Sequence, residues 1–435
     1  MAQKANPVSG AEVVVAHPGT QHSYETAFAL QEAGLLREYI TGLYFKRGSG
    51  IGRFLSVLPM RMRQSAIRQL GKRHRAGLDE DLIHTYTWLE AVYLGFARAP
   101  IPWRVPDHVL LLRNRLFGRF LAKRVRALNP DAVLCYDTCA LEAFRAASEV
   151  GALKILDQTA CHLAYTAPIL AGKQERDGDS GSTEGKPPDW LVDECIEEAR
   201  QADLILAGSE FVLRSLECAG VEGGKVAVLP YGANIALFEP SRDKRSGPLT
   251  VVYAGQIRAM KGIGYLLEAF RGLQHLGCRL LLIGQVQGDG RWLEKYDGSF
   301  EHVPFVPRTE LAGLLKKTDI FVYPSLLEGS ALAIYEALAS GLPVVTTPNS
   351  GSIVRDGIEG FVVPPRDVDA LRERIKRLAV DEDLRDAMGL AARRRAEEYS
   401  WSNYHKRLAA LVRENLGLDS SQSGEVLESA HGALG

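Results

Sequence analysis

Short apolar runs rich in Val, Ile and Leu recur along the chain, and most are followed by a stretch in which apolar residues return every three or four positions. Runs of this kind are the pattern of parallel strands buried on both faces, and the periodic stretches are the helices that cover them. In the first half the predicted strands are 12–16, 39–45, 132–136, 154–156, 204–207 and 226–229. After Pro240 the series begins again, with 249–254, 279–283, 302–306, 320–323, 343–346 and 361–363. Between the two sets, residues 240–248 are polar with proline at both ends, as an interdomain linker is. The pattern predicts an α/β chain with two doubly wound domains, 1–239 and 249–400, whose strand ends face a ligand cleft. Residues 401–417 read as a helix packing back toward the first domain. The segment 171–188, rich in Gly, Ser and charge, reads as a mobile surface loop, and 418–435 as a disordered tail.

Composition narrows the possible functions. Lys plus Arg number 52 and Asp plus Glu 53, a net charge of -1, so the overall basic excess of a dedicated nucleic-acid binder is absent. The six cysteines, Cys135, Cys139, Cys161, Cys195, Cys218 and Cys278, lie dispersed among apolar residues, which is reduced, cytosolic usage. Cys135 and Cys139 have no second pair at ligand spacing, and zinc needs about four ligands. The opening MAQKANPVSG lacks the apolar core of a secretory signal, and no apolar run approaches the ~18 residues of a spanning helix. A cytoplasmic chain is expected, with any membrane contact peripheral.

The most informative segment is Tyr323-Pro-Ser-Leu-Leu-Glu328-Gly-Ser-Ala-Leu-Ala-Ile-Tyr-Glu336-Ala-Leu-Ala-Ser-Gly341. It reads as a strand end, a Gly-Ser turn, a helix of about ten residues and a glycine stop. Such a turn points the first amides of the helix, with the positive end of its dipole behind them, at whatever lies above Gly329, Ser330 and Ala331. That is an anion site, and glycine and serine permit close approach. Glu336 begins about two turns further in, roughly 9 Å along the axis, within reach of a ribose attached to a diphosphate. Glu328 precedes the turn, where it can accept from hydroxyls of the group that the diphosphate carries. On spacing alone, a helix-start charge for Glu328 and a solvated position for Glu336 serve equally well.

A second constellation is Tyr253-Ala-Gly255-Gln256-Ile-Arg258-Ala-Met-Lys261-Gly-Ile-Gly264. A strand ends at Gly255, a basic loop follows, and a helix opens near Gly262, which puts Lys261 where it can neutralise a leaving diphosphate. The missing third glycine makes this a poor dinucleotide fingerprint, and the chain has no Walker A pattern. Taken singly, Lys261 reads as a surface lysine.

Together with Leu229-Pro-Tyr-Gly-Ala-Asn-Ile-Ala-Leu-Phe-Glu-Pro240, Ala202-Asp-Leu-Ile-Leu-Ala-Gly-Ser-Glu-Phe-Val212 and Asp356-Gly-Ile-Glu-Gly-Phe-Val-Val-Pro-Pro365, these segments resemble the family 4 glycosyltransferases of the GT-B fold. The resemblance runs from about residue 202 to residue 403, with the motifs in order. It implies two Rossmann-like domains, the acceptor held by the first and a nucleotide diphosphate sugar by the second. It also implies retaining transfer to a hydroxyl of a saccharide, a lipid-linked or a small-molecule acceptor, in bacterial-type polysaccharide, glycolipid or glycoconjugate synthesis. The family's E-x7-E motif falls on Glu328 and Glu336, and its phosphate-binding basic residue on Lys261. Many members carry arginine directly after the glycine; this chain has Gln256 after Gly255, so Arg258 is expected to share that duty. In the first half, His17-Pro-Gly19-Thr-Gln-His22 and Asp157-Gln-Thr-Ala-Cys-His162 follow strands, so His17, Gly19, His22 and Asp157 are candidates for the acceptor side. Members often keep a histidine near the transferred sugar, and His162 is the better positional match. A hydrogen-bonded loop histidine is as good a reading for His162 and a better one for His22.

No cofactor is expected beyond the nucleotide sugar as co-substrate, and no metal. Asp177-Gly-Asp179 resembles a metal-binding D-x-D, but Asp367-Val-Asp369 and Asp381-Glu-Asp383 match equally well, and a helix start with Lys261 can do the metal's electrostatic work. A nucleotide-sugar epimerase of the same fold and a non-catalytic nucleotide-sugar binding protein are the alternatives. Residues 41–78 contain nine cations (Lys46, Arg47, Arg53, Arg61, Arg63, Arg68, Lys72, Arg73, Arg75), no acid and many interleaved apolar residues. Such a segment can lie on the anionic inner face of a membrane, in two helical pieces divided at Pro59. A solvated helix face or a groove for an anionic acceptor has the same composition.

Overall fold

The computed structural model describes residues 10–19, 21–46, 73–98, 104–176, 187–241, 247–288 and 290–418. Seven strands, β1 (Val13–His17), β2 (Leu36–Thr41), β3 (Ile83–Thr85), β4 (Ala132–Tyr136), β5 (Leu153–Gln158), β6 (Leu204–Ala207) and β7 (Val226–Val228), form one sheet in the order β3-β2-β1-β4-β5-β6-β7. Six more, β8 (Thr250–Ala254), β9 (Arg279–Ile283), β10 (Glu301–Val303), β11 (Ile320–Tyr323), β12 (Val344–Thr346) and β13 (Gly360–Val362), form a second in the order β10-β9-β8-β11-β12-β13. Every neighbouring pair of the second sheet is parallel, as are the pairs of β1 with β2 and β4, β2 with β3 and β4 with β5. In each sheet the first strand in sequence lies inside, so the strand order reverses beside it, between β1 and β4 and between β8 and β11. Loops diverge at such a reversal and leave a crevice at the carboxyl ends.

The central strands carry the core: Val13 to Val15, Val133 to Cys135, Val251 to Tyr253 and Ile320 to Val322 are fully buried. Beyond shifts of a residue or two at the ends, three strands differ from expectation. The expected strand 302–306 ends at Val303, because Pro304 has no amide to give the sheet. β2 begins at Leu36, because Arg37 and Glu38 at its start are polar yet answered by Glu12 at 3.1 Å and by Arg124 of helix Arg104–Leu128 at 2.8 Å. β3 went unseen because it is a three-residue edge strand with one buried side chain, Ile83. The segment 171–188 does not begin as a loop: helix Leu163–Arg176 runs through its first six positions. Residues 177–186 lie outside the described residues, as do 242–246 of the linker, 419–435 of the tail and 47–72 of the basic segment.

Contacts gather the chain into two compact units, one of residues 1–157, 193–206 and 405–435, the other of 158–192 and 207–404. In the first unit the end of the chain is held by His405 Nε2 at 2.9 Å from a Glu25 carboxylate oxygen and by Arg413 donating to the Ala33 carbonyl at 2.9 Å. A carboxylate organises the other side. Helix Leu141–Val150 starts at Ala140, which has no capping side chain. Buried Glu198 supplies the cap instead, accepting from the amides of Thr138 (2.8 Å), Ala140 (2.7 Å) and Leu141 (3.1 Å). Thr138 sits at φ 70, a left-handed conformation unusual for a β-branched residue, which the amide bond to Glu198 helps hold.

Burial pushes the Glu198 carboxyl up to about 8, aided by nearby Asp137 and opposed by the three amides. The folded chain thus keeps this proton to higher pH than the unfolded chain, whose carboxyl releases it near ~4.3. The associated stability is full below the unfolded value and is lost as pH rises through the folded one. The urea midpoint of the protein should therefore fall between about pH 5 and 8, and Glu198→Gln, though less stable, should lack that slope. An equal slope in both proteins would remove Glu198 as its source.

Candidate functional site

In the second unit the loops after β8 and β11 are stitched together at the strand-order reversal. The Leu326 amide donates to the Met260 carbonyl at 2.9 Å, and Ser325 Oγ donates to the same oxygen at 3.3 Å. Gly262 adopts φ 73, and the Pro324 carbonyl approaches so closely that a Cβ would overlap it. This fixes the short turn Ala259–Lys261 and buries the Lys261 side chain. Lys261 Nζ forms an ion pair with Glu328 Oε2, and the Tyr323 hydroxyl donates to the same oxygen at 3.1 Å. Tyr323 stacks on Tyr253 with ring centres 5.3 Å apart, and the Tyr253 hydroxyl donates to the Gln256 carbonyl at 2.7 Å. Burial pushes Tyr323 up to about 12, although the Arg258 charge nearby pulls it down, so its hydroxyl remains a donor. The sequence candidates Gly255, Gln256, Arg258, Lys261 and Glu328 thus share one cluster.

The turn before helix Leu332–Ala339 is held by main-chain neighbours. A Cβ on Gly329 would overlap the Thr159 carbonyl and come within 2.8 Å of Ala160 Cα. The Gly329 carbonyl accepts from Ser209 Oγ at 2.6 Å, and Gly351, at φ 61, leaves it room. Cys161 Sγ donates to the Glu328 carbonyl at 3.2 Å. Of the three amides expected to face an anion, that of Ala331 is engaged by the Ser350 carbonyl at 3.2 Å. The helix is eight residues long rather than about ten, and begins at Leu332. Ser330 Oγ lies 3.0 Å from the Tyr335 hydroxyl. Glu336 is buried and its Oε1 lies 3.1 Å from Arg308 Nε. Burial raises its carboxyl above the usual range while Arg308 opposes the rise. Arg308, at the start of helix Arg308–Leu315, was not legible as a site residue, since nothing in its own segment marks it. His162 is fully buried; its amide donates to Ser215 Oγ at 3.0 Å and its Nδ1 accepts from the Ala164 amide at 3.2 Å, capping helix Leu163–Arg176. That bond assigns the ring proton of the neutral form to Nε2.

The first unit brings His17, Gly19, His22 and Asp157 together. His22 Nε2 lies 2.8 Å from Asp157 Oδ2, both buried. Tyr136, at the end of β4, packs against both histidine rings, at 4.7 Å from His17 and 5.3 Å from His22. His17 Nδ1 accepts from the Gly19 amide at 3.1 Å, and burial, with Arg113 nearby, pushes its pKa down to about 3, so the ring is neutral. Arg113 in turn donates to buried Glu90 at 2.6 Å, and Arg73 to the same carboxylate at 2.8 Å. Three of the nine cations in 41–78 are therefore turned inward: Lys46 donates to the Glu80 and Ile83 carbonyls, Arg73 to Glu90 and Arg75 to Glu25. The other six lie outside the described residues, as does Asp177-Gly-Asp179. Asp367 and Asp381 cap helices Val368–Val380 and Glu382–Glu398. Among the described residues no three His, Cys, Asp or Glu side chains converge as a metal site.

Residues 235–395 match the family model of glycosyl transferases group 1. The chain is 30% identical over 229 residues to an amylovoran biosynthesis glycosyltransferase of Erwinia amylovora, an alignment covering 49% of this chain and 56% of that protein. It is 29% identical over 245 residues to a D-inositol 3-phosphate glycosyltransferase of Corynebacterium urealyticum, covering 49% and 57%. The chain thus spans only a little over half the length of the curated relatives it matches. Among solved structures, Anabaena HepE in complex with UDP and glucose superposes with a TM-score of 0.62 at 14% identity, over 93% of this chain and 100% of that one. At that identity the likeness establishes the fold, which is GT-B.

Because the atoms facing Gly329 are main chain, Gly329→Ala cannot be accommodated by a rotamer change. Overpacking of this kind costs about 1–3 kcal/mol, so the thermal midpoint should fall by several degrees. A variant that melts with the parent protein would show that the turn is free to move.

Proposed function

We propose that this chain, whose residues 235–395 are a glycosyl transferases group 1 domain on a GT-B fold, moves a sugar from a nucleotide diphosphate sugar to a hydroxyl acceptor, with retention at the anomeric carbon. The observation that carries the reading is the buried Lys261, paired with Glu328 in the loop that leads into the start of helix Leu332–Ala339. In this reading residues 249–400 hold the donor, 1–239 the acceptor, 240–248 join them, and the helix at 401–417 precedes a tail at 418–435. Lys261, Arg258 and the amides of Gly329 and Ser330 meet the diphosphate, while the Ala331 amide stays with Ser350; Glu336 accepts from the ribose hydroxyls, and Glu328 from those of the sugar. His162 is the candidate contact to the transferred sugar, and His17, Gly19, His22 and Asp157 flank the acceptor.

When the bond from the anomeric carbon to the phosphate oxygen breaks, its electron pair leaves with the diphosphate. Lys261, Arg258 and the helix start then bind that charge more strongly than in the ground state, which is what lowers the barrier. The acceptor hydroxyl forms the new bond on the same face, and its proton passes to the departing phosphate oxygen. No cofactor or metal is required. The names of the two relatives, one for polysaccharide assembly and one for an inositol phosphate, support an acceptor rich in hydroxyls. Location is cytoplasmic, with peripheral attachment to the inner face of a membrane through 41–78; among the described residues no helix is long and apolar enough to cross one.

A panel of nucleotide diphosphate sugars, read by thermal shift and then by product analysis, tests the reading: a donor that binds the folded chain raises its melting point. Transfer requires an acceptor; isomerised sugar formed without one would instead identify an epimerase, and binding without product a non-catalytic protein. Turnover should persist in EDTA, whereas loss restored by magnesium or manganese would overturn the metal-free mechanism. Lys261→Ala should lower turnover at least tenfold, since a charge-assisted contact is worth about 1.5–3 kcal/mol. Glu336→Gln should weaken binding of the free nucleoside diphosphate, whereas Glu328→Gln should depress transfer with less effect on that binding. Equal losses of affinity would mean that the two carboxylates are not divided between ribose and sugar.

A further inference from the structure

Helix Thr87–Arg98 buries its acid and exposes large apolar side chains. Leu89 and Glu90 are buried, the glutamate held by Arg73 and Arg113, while the outward positions are Trp88, Ala91, Val92, Gly95 and Phe96. Trp88 is 54%, Val92 49% and Phe96 42% exposed. A surface helix ordinarily puts charge on that face. Here three large apolar side chains stand four residues apart, a line of about 12 Å at 1.5 Å per residue.

The next helix, Arg104–Leu128, runs antiparallel to it: Trp88 meets the Phe120 ring at 6.0 Å, and the Arg113 guanidinium lies 4.8 Å from the Tyr93 ring centre. That register puts Phe96 at the level of Leu112, itself 57% exposed. Along the outer face of Arg104–Leu128 follow Arg115, Arg119 and Lys123, all exposed, and the one acidic residue of the helix, Asp107, lies in its first turn. Arg115 is engaged by Glu194 at 2.5 Å; Arg119 and Lys123 face solvent.

We propose that Trp88, Val92, Phe96 and Leu112 insert into the headgroup layer of an anionic bilayer, with Arg119 and Lys123 at the level of the lipid phosphates. The proposal rests on the peripheral-membrane reading and gives it a surface outside residues 47–72. Aromatic and aliphatic side chains beside cations are the composition that partitions into such a layer. A second copy of the chain fits less well, because a two-fold contact on this face would set the exposed Arg119 and Lys123 against their own image. A lipid surface supplies those anions.

The test is co-sedimentation of the full chain with phosphatidylglycerol-containing and with pure phosphatidylcholine vesicles at low salt. The parent protein should bind the anionic vesicles, and the Trp88→Ser/Phe96→Ser variant should bind at least about tenfold more weakly, from the apolar area withdrawn. Arg119→Gln/Lys123→Gln should lose most of the preference for anionic lipid. Brominated phosphatidylglycerol should quench tryptophan emission of the parent protein more than that of Trp88→Phe, a conservative change that keeps the fold. If the parent binds and the Ser variant, with an unchanged melting curve, binds equally, this face is excluded while attachment through 41–78 stands. No binding by the parent overturns both. Concentration-dependent dimers in sedimentation velocity that the Ser variant abolishes would assign the face to a second copy and overturn the proposal.

Discussion

The second unit depends on a contact made almost wholly by main chain. Between Thr159 and Ala160 on one side and Gly351 on the other, the backbone of Gly329 has no space for a Cβ, and its carbonyl is taken by Ser209. Contacts between main-chain atoms cannot relax through rotamers, so the entry to helix Leu332–Ala339 is held in place. Everything that gives the site its chemistry hangs from that entry. Glu328 precedes it, and its side chain can meet Lys261 only because the turn is where it is. Glu336 follows on the helix, at a height set by the 1.5 Å rise per residue. In the proposed reaction the diphosphate arriving at the helix start meets amides already oriented, with little ordering left to offset its binding.

The Lys261 and Glu328 pair gives this rigidity a direction. Both side chains are largely withdrawn from water, and two such charges are tolerated because each neutralises the other and Tyr323 adds a hydrogen bond. Removing one partner leaves the other uncompensated, which makes the pair sensitive to whatever competes for either member. A diphosphate, carrying more charge than one carboxylate, is the stronger competitor for Lys261. In the proposed reaction its arrival therefore releases Glu328 to accept from sugar hydroxyls, so that phosphate and sugar recognition are coupled through one lysine. The Tyr253 and Tyr323 stack below keeps both loops in place during the exchange, since neither phenol ionises near neutral pH.

How much of this was legible in the sequence follows from which interactions are local. The bounds of β4, β6, β9 and β11 are those the sequence predicts, because a strand buried on both faces is apolar along its buried length; of the four only β9 opens on an exposed residue, Arg279. The polar start of β2 is not legible as strand because its partners, Glu12 and Arg124, come from elsewhere in the fold, and β3 is not because an edge needs few apolar residues. The glycine turn and the spacing of Glu328 and Glu336 lie within one segment and were visible there. The partner of Glu336 was not, since Arg308 reaches it from a different helix. Nor could sequence show that Ala331 spends its amide on Ser350, or that Lys46, Arg73 and Arg75 turn inward, because both outcomes depend on which acceptors the fold brings near.

In the first unit Glu90, Asp157 and Glu198 are buried, answered by two arginines, a histidine and three amides. An acid buried with its partners adds little to the field outside, so the sign of a surface is set by the charges left over rather than by the whole-chain total of -1. Between 108 and 128 what is left over is basic, and beside it helix Thr87–Arg98 has placed Glu90 inside and Trp88, Val92 and Phe96 outside. A helix exposed in this way gains nothing from water on its outer face and forgoes the solubility that charge would bring. The inner ion cluster explains why Glu90 is buried; it gives no reason for Trp88, Val92 and Phe96 to be exposed. A surface that supplies both hydrocarbon and anions accounts for the apolar line and the cation row together, where solvent accounts for neither.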